Sequence, residues 1–228
     1  MTDISASTES TPRSNPLSDF SAQPWPMVRK VGEAFGWLLV AGLIFTAITS
    51  IFGRAAFLNE MANVANPAEV ANPFDIRYWE HALATWMHLG PGLLIMIIGP
   101  LQFIRPLRKN YLNVHRWSGR VFLVCGGLGA ASGIFIGVFY PFAGIESQGF
   151  NESMATAYFG AYTLFCLIKA YTSIRRKEFG AHREWMIRSW ALLLAIATER
   201  VMLGILMSST NIGIDILFGT TFWMAGVT

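Results

Sequence analysis

Four histidines occur in the chain, and two of them sit in matching surroundings. His115 lies in RKNYLNVHRWSGR, residues 108–120, and His182 in RRKEFGAHREWMIR, residues 175–188. Each string carries a basic pair, an aromatic shortly after it (Tyr111, Phe179), a His-Arg step (His115-Arg116, His182-Arg183), a tryptophan (Trp117, Trp185) and a further arginine (Arg120, Arg188). Neutral imidazoles on separate helices of a bundle are the usual axial ligands of a b-type haem. His115 and His182 are therefore the candidate metal ligands, binding haem iron. Arg116, Arg120 and Arg183 are the candidate propionate partners, because guanidinium pairs well with carboxylate. The plainer alternative is that basic, aromatic, histidine-bearing strings are interfacial anchors at a membrane surface.

A second set is His88, Glu199 and Arg200. Arg200 follows His182 by eighteen residues, five helical turns, so on one helix the two share a face about 27 Å apart. An adjacent acid and base inside an apolar stretch are costly and by default face a bundle interior. They either form a structural ion network or belong to a functional outer polar site with His88. Tyr158 and Tyr162 are further candidates near that depth, though aromatics near span ends are commonly belt residues.

These groups must be positioned by long apolar elements. The chain has 228 residues, 53% hydrophobic and only 14% charged, with a mean hydropathy of +0.43; soluble domains carry about 25% charged residues. The runs 34–53, 81–104 and 121–145 lack formal charge, and about 20 such residues span a bilayer as a helix. Spans are expected near 34–53, 82–104, 116–140, 153–173, 184–208 and 212–228. Lys169 in the fourth can reach the headgroups, and the sixth can equally be a re-entrant or interfacial segment. The expected fold is all-α, a polytopic membrane bundle of about six helices. Its four-helix core is formed by two parallel hairpins, each turning at one histidine junction.

Basic residues concentrate at those junctions: Arg105, Arg108, Lys109, Arg116 and Arg120 in one, Lys169, Arg175, Arg176, Lys177, Arg183 and Arg188 in the other. The intervening loops are acidic, with Glu60, Glu69, Asp75 and Glu80, then Glu146 and Glu152. The positive-inside rule places the N-terminus and both junctions in the cytoplasm. The net charge of +3 thus reports topology and not nucleic-acid binding. Residues 1–30 form a separate N-terminal segment, rich in Ser, Thr and Pro and expected to be disordered, ahead of a transmembrane domain over 31–228. Cys125 and Cys166 both fall inside spans, which argues against a disulfide or zinc framework. No phosphate-cradling loop, zinc-protease helix or nucleophile elbow occurs.

Helical periodicity puts His115, Gly119, Phe122, Gly126, Gly129, Gly133 and Gly137 on one face. Such a glycine face serves close helix packing or gives a flat cofactor room, with Gly119 beside His115. On the second span His81, His88, Gly92, Ile95, Gly99 and Gln102 share a face that should point at protein. Pro91 and Pro100 are expected to disturb that helix.

The order of the His88 region, GPLQF, HRWSGR, HREWMIRSWA and ATER resembles the uncharacterised bacterial membrane-protein family known as domain of unknown function 2306. The residues that carry the resemblance are His88, Gln102, His115, Arg116, Gly119, Arg120, His182, Met186, Arg188 and Arg200. It implies a multi-pass protein of a bacterial inner membrane and no established activity. A looser similarity, carried by YLNVHRWSG, runs to the transmembrane ascorbate-dependent cytochromes b, which hold two haems with two histidine pairs. Here only the His115/His182 pair has a natural partner.

Three functional readings remain. The first is a small redox protein that holds haem b, or exchanges electrons with quinone, at the cytoplasmic side. The second is a non-catalytic accessory or structural subunit of a larger membrane complex, with anionic lipid at its basic junctions. The third is a transporter or sensor built on Glu199 and Arg200.

Overall fold

The computed structural model describes residues 26–72, 75–141 and 149–227, apart from the side chains of residues 26–28 and Asp215. Residues 1–25 of the expected N-terminal segment, and Glu146, lie outside this description. Every regular element among the described residues is helical. The chain divides into two compact units, Met1–Val40 and Ala41–Thr228. The described part of the first is the opening of helix α1 (Pro26–Met61). Pro26 takes a position whose missing N–H has no helical bond to lose.

The second unit begins within α1 and contains the rest. Leu58 of α1 joins Tyr78 and Leu89 in a buried apolar cluster. Two short helices follow, α2 (Pro67–Val70) and α3 (Ile76–Glu80), then α4 (Ala82–Ile98). Pro91 is accommodated within α4. Pro100 cannot continue the amide ladder, and a 3-10 turn, Pro100–Phe103, replaces the last part of the expected helix. The first basic junction folds as α5 (Arg105–Asn110) and runs into α6 (Leu112–Phe139). Helices α7 (Gly149–Arg175), α8 (Phe179–Ser209) and α9 (Ile214–Val227) complete the chain.

The second basic junction is a tight reversal. Glu178 N–H donates to Ser173 O at 2.9 Å and Lys177 N–H to Ile174 O at 3.1 Å. Lys177 has φ 63°, the left-handed position that glycine usually fills at a helix C-terminus. The long helices pack in sequence, α4 on α6, α6 on α7 and α7 on α8, with α9 against both α7 and α8. Phe122, Ala155, Cys166, Ala170, Ser189 and Ala197 are fully buried between them. Both cysteines are free.

Among the described residues, four helical segments have the length and apolarity to cross a membrane: Arg29–Met61, Ala82–Phe103, Leu112–Phe139 and Phe179–Ser209. The other two expected spans are also helical but differ from them. With 27 residues α7 is long enough, yet it is more polar, and it turns Glu152, Thr163 and Ser173 into the protein. The 14 residues of α9 reach about 21 Å, short of the roughly 30 Å hydrocarbon core.

Candidate functional site

The two histidine junctions lie at one end of the bundle. His115 stands in the first turn of α6 and His182 in the first turn of α8, near enough to interact electrostatically. His182 Nδ1 donates to Ala170 O of α7 at 2.9 Å, which leaves Nε2 as the ring's acceptor. His115 Nδ1 is buried and makes no hydrogen bond. One imidazole is thus oriented by a carbonyl, as metal-ligating histidines commonly are, and the other presents an orphaned nitrogen. Phe122 lies seven residues beyond His115 and Trp190 eight beyond His182. Their rings meet at 6.0 Å and close the core about two turns below the pair.

The arginines of this end are differently engaged. Arg120 lies 4.7 Å over Trp117, and Arg188 lies 4.7 Å over Trp185. The two junctions therefore repeat one cation–π pair at the same i, i+3 spacing, as well as repeating a sequence. Arg116 acts electrostatically on His115. Arg183 is exposed. Of the three arginines expected to pair with propionates, Arg120 is the one already held, on its own helix.

The glycine face of α6 is packed and not an open groove. A Cβ on Gly119 would sit 3.2 Å from Gln102 Oε1, one on Gly126 3.1 Å from Leu167, one on Gly129 3.9 Å from Ile95, and one on Gly133 3.1 Å from His88. The face of α4 and its 3-10 turn bearing His88, Ile95 and Gln102 therefore covers Gly119, Gly129 and Gly133, while Leu167 and Thr156 of α7 cover Gly126 and Gly137. At Gly119 the close-packing alternative describes the arrangement: the Gln102 carboxamide covers it and donates to Ser118 Oγ at 2.7 Å. His88 is fixed the same way, with Nδ1 donating to Gly129 O at 2.9 Å.

At the opposite end His88, Glu199 and Arg200 are part of a larger assembly. Glu199 is fully buried; its Oε1 accepts from Thr221 Oγ1 at 3.3 Å and its Oε2 lies 3.5 Å from Arg200 Nε. Arg200 also hydrogen-bonds Tyr78 of α3 and interacts with Glu152, buried in the first turn of α7. Its charge reaches His88, and its guanidinium carbon lies 5.3 Å over Phe218. Arg54 of α1 stacks 3.6 Å over the Tyr78 ring and pairs with Asp75 at 2.6 Å. Burial raises the Tyr78 phenol above its ordinary value, against the pull of Arg200 and Arg54.

Sequence reasoning missed Arg54, Asp75, Tyr78, Glu152 and Thr221 as members of this assembly. Glu152 reads as an acidic loop residue until α7 begins at Gly149 and turns it inward. The available signal was Arg54 and Arg77 in an otherwise acidic connection, because cations there invite partners. Tyr158 and Tyr162 are exposed or nearly so, and Tyr158 packs in an aromatic group with Phe159 and Trp223. They do not join the assembly. A surface cavity of about 280 Å³ at this end is lined by Arg77, Glu80, His81, Phe139, Tyr140 and Pro141. The described residues contain no group of three or more His, Cys, Asp or Glu side chains placed to hold a metal ion.

Comparison with known proteins gives two matches. The family described as Predicted membrane protein (DUF2306) matches residues 85–227. A curated relative, Ava biosynthesis cluster protein G of Aspergillus versicolor, is 30% identical over a stretch that takes in 42% of this chain and 36% of the relative. The chain thus spans little more than a third of the curated relative it matches. No solved structure matches.

Proposed function

The chain belongs to the DUF2306 family of predicted membrane proteins and is a multi-pass membrane protein, and from that premise we propose that its histidine pair is a redox site. His115 and His182 hold a b-type haem, or meet a quinone, at the end of the bundle that the positive-inside rule assigns to the cytoplasm, in a bacterial inner membrane. One observation carries the reading. A buried nitrogen without a partner, His115 Nδ1, stands beside a histidine whose other nitrogen is tied to a carbonyl. Buried polar atoms are almost always paired, so an orphan at this place suits a ligand. The donor set fits a haem: two imidazoles, Arg116 and Arg183 with no carboxylate partner among the described residues, and an aromatic floor of Phe122 and Trp190. Haem bound there would supply one-electron transfer. The chain's own residues orient His182 through Ala170 and seal the site from below.

A visible spectrum of detergent-purified protein from haem-replete cells tests this. A Soret band lost in both His115→Ala and His182→Ala is expected. A colourless preparation, together with no response of the protein to added quinone analogue, sinks the reading.

A second reading is favoured by α1. Its segment within the second unit exposes Phe45 and Phe52, and a Cβ at Gly42 or Gly53 would meet nothing within 4 Å. Small residues between large apolar ones suit docking to another membrane helix, as an accessory subunit of a larger complex would need. Co-purification of a stoichiometric membrane partner, lost on Gly42→Leu, is its test.

A further inference from the structure

We propose that Lys169 and Arg188 hold the phosphate of one anionic phospholipid beside the ring of Trp185. The site lies on the outer flank of α7 and α8. It uses none of the residues assigned to the redox pair and does not rest on that reading.

Two cations from different helices converge on one ring. Lys169 Nζ of α7 lies 5.7 Å from the Trp185 ring centre, and Arg188 Cζ of α8 lies 4.7 Å from it. Their charges therefore stand no more than about 10 Å apart, a separation comparable to the screening length of salt solution. The matching tryptophan at the other junction differs. Among the described residues Trp117 has Arg120 over it and no second cation. The repeat between the junctions thus breaks at this point, and the break adds a positive charge.

Local acids do not cancel the pair. Arg188 meets Glu184 at 3.4 Å, but the two side chains are 44% and 67% exposed, and such a surface pair contributes little. Lys169 has no carboxylate within ion-pair distance among the described residues. A ring face positions a cation without neutralising it. The two heads therefore keep their charge, and an anion between them would relieve their repulsion.

The surroundings select the kind of anion. Phe165 meets Trp185 edge to face at 5.6 Å, and Tyr162 stacks on Phe165 at 6.3 Å. Phe165 and Ile168 are 48% and 60% exposed. Phe165 precedes Lys169 by one helical turn and Tyr162 by two, so both lie toward the middle of the bundle. An apolar ledge thus runs up to a cationic rim. That pattern matches an amphiphile, with an acyl chain along the ledge and a phosphodiester at the rim; a small soluble anion has no use for the ledge. Long basic side chains at such a boundary lay their stems on apolar surface and extend their heads to the phosphate level. The rim is at the end that the positive-inside rule assigns to the cytoplasm, and the leaflet on that side carries anionic lipid.

Native mass spectrometry of the full chain, delipidated in detergent and titrated with phosphatidylglycerol, counts bound lipid directly. The wild type should retain one phosphatidylglycerol per chain in preference to phosphatidylethanolamine. Lys169→Gln and Arg188→Gln should each weaken retention about fivefold, and Lys169→Arg should preserve it. Arg176→Gln removes the same charge from an exposed position of this junction and should leave retention unchanged. None of these side chains is buried, so the lipid-free thermal midpoints should match the wild type and separate lost binding from lost fold. No retained phosphatidylglycerol, or equal retention of phosphatidylethanolamine, overturns the proposal. An equal loss in Arg176→Gln overturns it in favour of diffuse attraction, and a loss confined to Lys169→Gln or to Arg188→Gln overturns the shared grip. Displacement of the lipid by inorganic phosphate alone makes the site one for a free anion and overturns the assignment to a lipid.

Discussion

The two ends of this bundle use the same residue types at different depths. At the junction end cations outnumber acids, and exposed arginines rest on tryptophan faces, Arg120 on Trp117 and Arg188 on Trp185, with Arg188 also paired with Glu184 at 3.4 Å one turn away on the surface. At the acidic-loop end Arg54 and Arg200 reach inward, and each meets a carboxylate as well as an aromatic ring: Arg54 with Asp75 and over Tyr78, Arg200 with Glu199 and over Phe218. Number and exposure explain the difference. Crowded surface cations are solvated and lie on whatever apolar surface is near, so each contributes little. A cation drawn into the interior must be compensated, and its partners are then fixed in space. An arginine in this chain is structurally committed by its depth and not by its type.

The largest test of that contrast is to remove one arginine from each end. Arg200→Gln strips the counter-charge from buried Glu199 and the hydrogen bond from Tyr78, and breaking a buried pair costs about 3–5 kcal/mol. Arg183→Gln, at an exposed position, should stay within about 0.5 kcal/mol. Thermal or denaturant unfolding in detergent compares them, and equal losses would abolish the distinction between the ends.

Packing offers the next test. Gly99→Ala would drive a Cβ into the Trp190 ring, and Gly137→Ala would place one 2.7 Å from Thr156 Cγ2. Each should destabilise by about 1–3 kcal/mol. Gly127→Ala, with nothing within 4 Å, should instead gain up to about 1 kcal/mol from helix propensity. If all three behaved alike, the glycine face would not be the close-packed seam described above.

Tyr78 sharpens the electrostatics of the acidic-loop end. Its folded-state pKa is raised by burial, so the folded protein keeps the phenol proton longer than the unfolded chain, where it ionises near about 10. The stability linked to Tyr78 is complete below about pH 10 and is lost as pH rises through the folded value. Ultraviolet phenolate titration of wild type against Tyr78→Phe isolates the group. A difference step at the ordinary tyrosine value would contradict its burial beside Arg54 and Arg200.

The smallest expected effect belongs to the junction end. Lys177 occupies the left-handed position of the α7–α8 reversal, where a side chain costs about 1–2 kcal/mol relative to glycine. Lys177→Gly should raise stability by about 1 kcal/mol, partly offset by added freedom of the unfolded chain. A loss on unfolding would mean that the Lys177 side chain makes a compensating contact.

Much of the architecture was legible in the residues. The apolar runs marked α1, α4 and α6, since a chain without charge over about 20 positions has few alternatives to a spanning helix; α8 was expected from its apolar run in spite of Glu199 and Arg200. The resemblance of the GPLQF, HRWSGR and HREWMIRSWA strings to domain of unknown function 2306 agrees with the family match over residues 85–227. Periodicity also placed a glycine face on α6 and a histidine face on α4. It did not reveal that these two faces meet, because periodicity reports which residues share a side and is silent on what lies opposite. The same gap hid the members contributed to the acidic-loop end by other elements. Glu152 and Tyr78 stand 48 and 122 positions from Arg200 in the sequence, and no local pattern links them.

Local chemistry along the chain thus determined that this protein lies in a membrane, where its helices run, and which junctions carry its histidines. Hydropathy, proline and charge act over a few residues and are readable there. Only the tertiary structure decided that Gln102 covers Gly119, that His182 is steered by Ala170 while His115 Nδ1 is left unpaired, and that Arg200 collects two glutamates and a tyrosine. Those outcomes depend on helix register and depth, and register is set by side-chain packing between segments far apart in the chain.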